Sequence, residues 1–107
     1  MIYELRVYQC LPGRLPPLLE RFERLTCRLF EKHGIEPVGF WTLEDGSASD
    51  LVYLLKWKSR AESEQTWASF RVDPEWVEAR AGEAEAGRMV ASITTQFLTP
   101  TAFSALR

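Results

Sequence analysis

The stretch Leu51-Val52-Tyr53-Leu54-Leu55-Lys56-Trp57 decides how the rest of the chain is read. It is too short for an ordinary helix, and its aliphatic and aromatic residues suit a pleated strand. Alternation puts Leu51, Tyr53, Leu55 and Trp57 on one side and Val52, Leu54 and Lys56 on the other. Both sets are largely apolar, so the strand calls for cover on two faces and belongs in the middle of a sheet. Just before it, Glu44-Asp45-Gly46-Ser47-Ala48-Ser49-Asp50 is a polar loop with an Asp-Gly turn. Val38 to Leu43, which follows Pro37 and contains Gly39, then reads as the other strand of a hairpin.

Further out, Ile2 to Gln9 alternates between Tyr3, Leu5 and Val7 on one face and Ile2, Glu4, Arg6 and Tyr8 on the other. Leu11-Pro12-Gly13 breaks this strand. Leu15, Leu18, Leu19, Phe22, Leu25, Leu29 and Phe30 then follow helical spacing, with Glu20, Arg21, Glu23, Arg24 and Arg28 expected outside. Pro16 and Pro17 suit the first turn and Gly34 the C-terminal end. After the hairpin, Ser59-Arg60-Ala61-Glu62 has the form of a capping box, and Asp73-Pro74 stops and restarts the helix, which runs on towards Gly87. The restarted piece is poor in large apolar residues after Val77, so an exposed helix is expected there. Met89 to Thr99 alternates again, with Met89, Ala91, Ile93 and Phe97 on one face, and Pro100 ends it. The order βαββαβ, with right-handed crossovers, gives an α+β ferredoxin-like fold: a four-stranded antiparallel sheet with both helical segments on one face and the first and third strands central.

A chain of 107 residues is expected to form one domain spanning residues 1–107. Thirteen basic against fifteen acidic residues leave a net charge of −2 and no basic stripe, which argues against nucleic acid as a partner. Cys10 and Cys27 make no disulfide framework, and no cluster of cysteines and histidines suggests a metal, so neither metal nor cofactor is expected. Two free thiols suit a reducing cytoplasm. The chain opens on a strand pattern rather than a leader, and no run of about 18 apolar residues predicts a membrane span.

The helices cover one face of the sheet. With Tyr3, Leu5 and Val7 set against the Leu15–Phe30 stripe and Val52 and Leu54 beside them, the other face collects Ile2, Tyr8, Tyr53, Leu55, Trp57, Val90 and Leu98, with either Phe40 or Trp41. Glu4, Arg6, Thr94 and Gln96 share it. So much apolar surface is too large to leave wet on a monomer. A homodimer closing sheet against sheet is therefore expected, its enclosed polar groups either paired or lining a pocket.

Several segments resemble NIPSNAP-family proteins: Met1-Ile2-Tyr3-Glu4-Leu5-Arg6-Val7-Tyr8, Leu11-Pro12-Gly13-Arg14-Leu15-Pro16, Glu31-Lys32-His33-Gly34, Val38-Gly39-Phe40-Trp41, Asp73-Pro74-Glu75-Trp76 and Leu98-Thr99-Pro100-Thr101-Ala102-Phe103-Ser104. The resemblance covers essentially the whole chain. It implies the dimeric α/β barrel superfamily, in which two ferredoxin-like sheets close into one barrel. Relatives there include cofactor-free monooxygenases, isomerases, polyketide cyclases and haem-degrading enzymes, whereas many NIPSNAP-like members have no settled activity and eukaryotic ones are associated with protein interaction. Where the family's third strand carries a His and a Trp, this chain has Tyr53 and Leu55, so no role resting on that His carries over.

His33, the single histidine, lies about five turns on from Leu15, on the apolar stripe. It either caps the helix end or acts as a proton shuttle at a pocket mouth. Glu4 and Arg6 form an ion pair at the dimer seam or orient a polar ligand. Tyr8, Trp41, Tyr53 and Trp57, with Gln96, either pack as core and interface or line a cavity suited to a planar molecule. Trp67, Phe70 and Trp76 anchor the broken second helix. Two functions follow: a homodimer binding a small, partly aromatic molecule in a half-barrel pocket, by itself or as a cofactor-free enzyme, or a non-catalytic scaffold.

Overall fold

The structure, a computed structural model, describes residues 1–46 and 48–107. Of the polar loop before the third strand, Ser47 lies outside the described residues. The elements run β1 (Ile2–Cys10), α1 (Leu15–Arg21), a π-helical turn (Phe22–Thr26), α2 (Cys27–Lys32), β2 (Glu36–Thr42), β3 (Asp50–Trp57), α3 (Arg60–Arg71), α4 (Pro74–Ala86) and β4 (Val90–Leu98). The four strands form one antiparallel sheet in the order β2-β3-β1-β4, the ferredoxin-like order, with β3 and β1 in the centre.

Local chemistry sets the boundaries. At the end of α2, Gly34 has a φ of +72°, and Gly34 N–H and Ile35 N–H donate to the carbonyls of Glu31 and Phe30, a full glycine stop. Ser59 Oγ accepts from Glu62 N–H at 3.1 Å, and the Glu62 side chain reaches back to the N–H of Lys58. Asp73 Oδ1 accepts from Glu75 N–H at 2.9 Å, with Pro74 first in α4. β2 begins at Glu36, two residues earlier than the sequence predicts. Pro37 is tolerated because β2 is an edge strand, and a register shift between Pro37 and Gly39 absorbs the irregularity.

Which face the helices cover differs from expectation. Leu51, Tyr53, Leu55 and Trp57 are buried beneath the helices, and register places Tyr8, Arg6, Glu4 and Ile2 beside them. Phe22 sits at the centre of this core, with ring centroids 5.5–6.3 Å from Tyr8, Phe30, Phe40 and Tyr53. The opposite, open face therefore carries Leu5, Val7, Val52 and Leu54, all half-buried, together with Trp41. Tyr3 is also on that face but is buried. A shallow pocket of about 270 Å³ between Tyr3, Leu54 and Leu98 and the tail residues Pro100, Thr101 and Leu106 marks where the C-terminal segment folds back. β4 is also registered one residue away from the expected alternation. Ile93, Thr95 and Phe97 lie opposite Tyr8, Arg6 and Glu4, whereas Thr94, Gln96 and Leu98 go to the open face.

The joint between α3 and α4 is held by one carboxylate. Asp73 Oδ2 receives Lys32 Nζ at 2.8 Å and His33 Nε2 at 2.7 Å, tying the end of α2 to the start of α4. The bond from Lys32, then that from His33, holds the Asp73 carboxyl well below the usual carboxylate range. A folded value below the unfolded one of about 3.9 contributes stability that is present above that pH and is lost as pH falls through the folded value. Asp73→Asn keeps the cap but removes the charge. Thermal melts should show the variant about 4–8 °C less stable than the parent at pH 7, with the gap closing as pH falls below about 4.

Candidate functional site

The sheet's helix-covered face holds a carboxylate where an apolar residue would be simpler. Glu4, 1% exposed, sits on central β1. Its Oε2 accepts from Arg6 Nη1 at 2.9 Å, and its Oε1 accepts from the indole N–H groups of Trp57 at 3.0 Å and Trp67 at 2.9 Å. Arg6 also donates to two phenols, from Nε to Tyr53 at 2.8 Å and from Nη2 to Tyr8 at 3.3 Å, and those phenol oxygens lie 2.9 Å apart. The guanidinium also stacks 4.6 Å from the Trp67 ring centroid. Burial works against the charge on Arg6, but Tyr53, Tyr8 and Glu4 outweigh it and hold the group above its ordinary value. Burial, then Tyr8, pushes the Tyr53 phenol well up despite Arg6, so Tyr53 is a neutral hydrogen-bonding group at physiological pH.

Beside this network lies a cavity of about 260 Å³ between the sheet and the two C-terminal helices. Arg6, Tyr8, Val90 and Ile93 form its sheet side, and Phe30, Trp67, Phe70 and Trp76 give it aromatic walls. Phe70 packs 4.8 Å from Trp76 and 5.3 Å from Trp67, centroid to centroid. Arg21 and Thr26 reach it from the first helical segment, and Arg71 and Arg80 from α3 and α4. The π-turn ends at Thr26; such turns insert a residue into a helix and often mark functional positions.

A model of the NIPSNAP family matches residues 3–105. The chain belongs to the NIPSNAP family. No curated protein matches it. Solved structures share the fold. A NIPSNAP family protein of unknown function from Agrobacterium tumefaciens is 23% identical, with a TM-score of 0.86 over 100% of this chain and 94% of that one. An uncharacterized NIPSNAP domain protein from Burkholderia xenovorans is 19% identical, with a TM-score of 0.83 over 97% and 98%. A Streptomyces coelicolor monooxygenase in complex with the ligand nanaomycin D is 13% identical, with a TM-score of 0.63 over 94% and 88%.

Five of the residues read from the sequence of this NIPSNAP protein meet in one network: Glu4, Arg6, Tyr8, Tyr53 and Trp57. Arg6 and Tyr8 also line the cavity, whereas Tyr53 and Trp57 are packed solid in the core. Trp41 and Gln96 are on the opposite face, opposite Val52 and Leu5. His33 binds Asp73 at the end of α2 and is not among the cavity's lining residues. Arg21, expected outside, is covered by α4, where Glu83 pairs with it. Thr26, Arg71 and Arg80 come from three separate elements, and no spacing could have joined them. Cys10 and Cys27 are free, and burial chiefly raises both thiols, which keeps them protonated. Among the described residues no acidic, histidine and cysteine cluster could hold a metal, and no helix is long and apolar enough to cross a membrane. Glu4→Ala strands the Arg6 charge and two indole donors, and should cost about 3–5 kcal/mol in urea unfolding. The apolar pair Glu4→Leu with Arg6→Met should recover only the part due to the stranded charge, because the Trp57 and Trp67 N–H groups still lack their acceptor.

Proposed function

We propose that this NIPSNAP protein is a homodimer that binds a small, partly aromatic molecule in the cavity between its sheet and α3 and α4. The observation that carries the reading is the cavity itself, which joins aromatic walls to the polar Arg6–Tyr8 edge. A ligand site of this kind is mostly apolar with a few oriented polar groups. The S. coelicolor monooxygenase, of similar fold, gives a precedent for a ligand on this scaffold. Dimer formation through the open face is supported by Trp41, 53% exposed, and Leu98, 40% exposed, flanking the half-buried strip of Leu5, Val7, Val52 and Leu54. Gly39 contributes to this surface, because a Cβ there would come within 2.8 Å of the Trp41 ring. Two free thiols favour the cytoplasm as the site of action.

Cofactor-free turnover is a second reading, favoured by the Tyr8 phenol at the cavity edge, which is held by Arg6 and backed by Tyr53 and could donate a hydrogen bond to an enolate or phenolate there.

A thermal-shift screen of planar aromatic compounds should find ligands that raise the melting midpoint of the parent protein but not of Ile93→Trp, which fills the cavity from its rim. A screen without hits, or hits that stabilise both proteins alike, would overturn the ligand site. Sedimentation equilibrium at micromolar protein should give twice the 12.3 kDa chain mass, and Trp41→Glu should shift it towards the monomer. A folded monomeric parent would sink the dimer.

A further inference from the structure

We infer that the occupant of this cavity is an anion, a planar aromatic carboxylate whose acid group meets the arginine side of the wall; this deepens the ligand reading above and rests on it. The chain as a whole is acidic, with a net charge of −2, yet the cavity lining includes four arginines and no aspartate or glutamate. Two of the four are compensated, Arg6 by Glu4 and Arg21 by Glu83. Arg71 and Arg80 have no ion pair among the described residues; Arg80 only stacks on Trp76 at 5.8 Å. The site is thus left with two positive charges beside aromatic rings.

Two buried polar atoms point the same way. Thr26 Oγ1 and Arg21 Nε lack a hydrogen-bond partner among the described residues, and both residues line this cavity. Thr26 is 2% exposed, so its hydroxyl has been taken out of bulk water without a protein partner. Leaving such a group unsatisfied is costly, and a ligand acceptor would relieve it. Both atoms are N–H or O–H donors, which suits an oxyanion, and arginine recognises a carboxylate with two parallel hydrogen bonds. Size agrees, because a cavity of about 150 Å³ accommodates benzene, so about 260 Å³ leaves room for a fused pair of rings with one substituent.

The test is calorimetric titration with 1-naphthoate and with its neutral analogue 1-naphthalenemethanol, at low and high salt. The parent should bind the acid at least about tenfold more tightly than the alcohol at low salt, with the preference shrinking as salt rises. In Arg71→Ala with Arg80→Ala, both exposed and outside the packed core, the preference should fall to within about threefold. Thr26→Val should weaken acid binding while the unliganded protein melts no lower than the parent, since an unsatisfied hydroxyl has been removed. Equal binding of acid and alcohol, or an acid preference that survives these substitutions, would overturn the anion assignment and leave the cavity reading standing. Binding of neither compound would overturn both.

Discussion

A charge buried in the middle of the sheet must be answered on all sides, and the packing of this protein is organised around that requirement. Glu4 on β1 is answered by Arg6 on the same strand, by Trp57 on β3 and by Trp67 on α3. The two indoles are among the largest side chains of the core, so one carboxylate fixes where both rings lie. Arg6 in turn fixes the phenols of Tyr8 and Tyr53, which pack against Phe22. An apolar set of equal volume could give comparable stability. What the polar set adds is a single arrangement of rings in which each donor has its acceptor.

The same network explains where the cavity opens. α3 is drawn onto the sheet through Trp67 and Phe70, both buried, whereas α4 has no buried residue at all. α4 is held at its N-terminal end by Asp73 and along its length by pairs such as Glu83 with Arg21. A helix attached by polar contacts at its edges leaves space beneath it, and that space is bounded by the aromatic side chains of α3 and the Arg6–Tyr8 edge. The space beneath α4 and a lining with four arginines therefore coincide.

The alternation on β3 led directly to a central strand covered on both sides, and the order of strands and helices followed from spacing, caps and glycine stops. Glu4, Arg6 and Tyr8 share one face of β1, and Tyr53 and Trp57 one face of β3, because a period of two leaves no choice within a strand. The side on which that group lies could not be read. Glu4 and Arg6 made their face look like the outer one, although in three dimensions these residues neutralise each other and satisfy two tryptophans that only the helices and the neighbouring strand bring close. The register of β4 shifted Trp41's open-face companions for a related reason: the irregularity near Gln9 and Cys10 leaves no trace in an alternating pattern.

Length, periodicity and local chemistry are properties of neighbouring residues, so the chain by itself determined the βαββαβ order, the central strands and the broken second helix, but of the polar cluster only which of its residues share a face of one strand. Which face the helices bury, where the tail returns and which arginines converge depend on contacts between residues far apart in sequence. Arg21, Thr26, Arg71 and Arg80 share a cavity only because the end of α1, the π-turn, the end of α3 and the middle of α4 are packed around the same point. That convergence depends on how the helices pack over the sheet, α3 through Trp67 on Glu4 and α4 through Glu83 on Arg21, and it belongs to the tertiary structure alone.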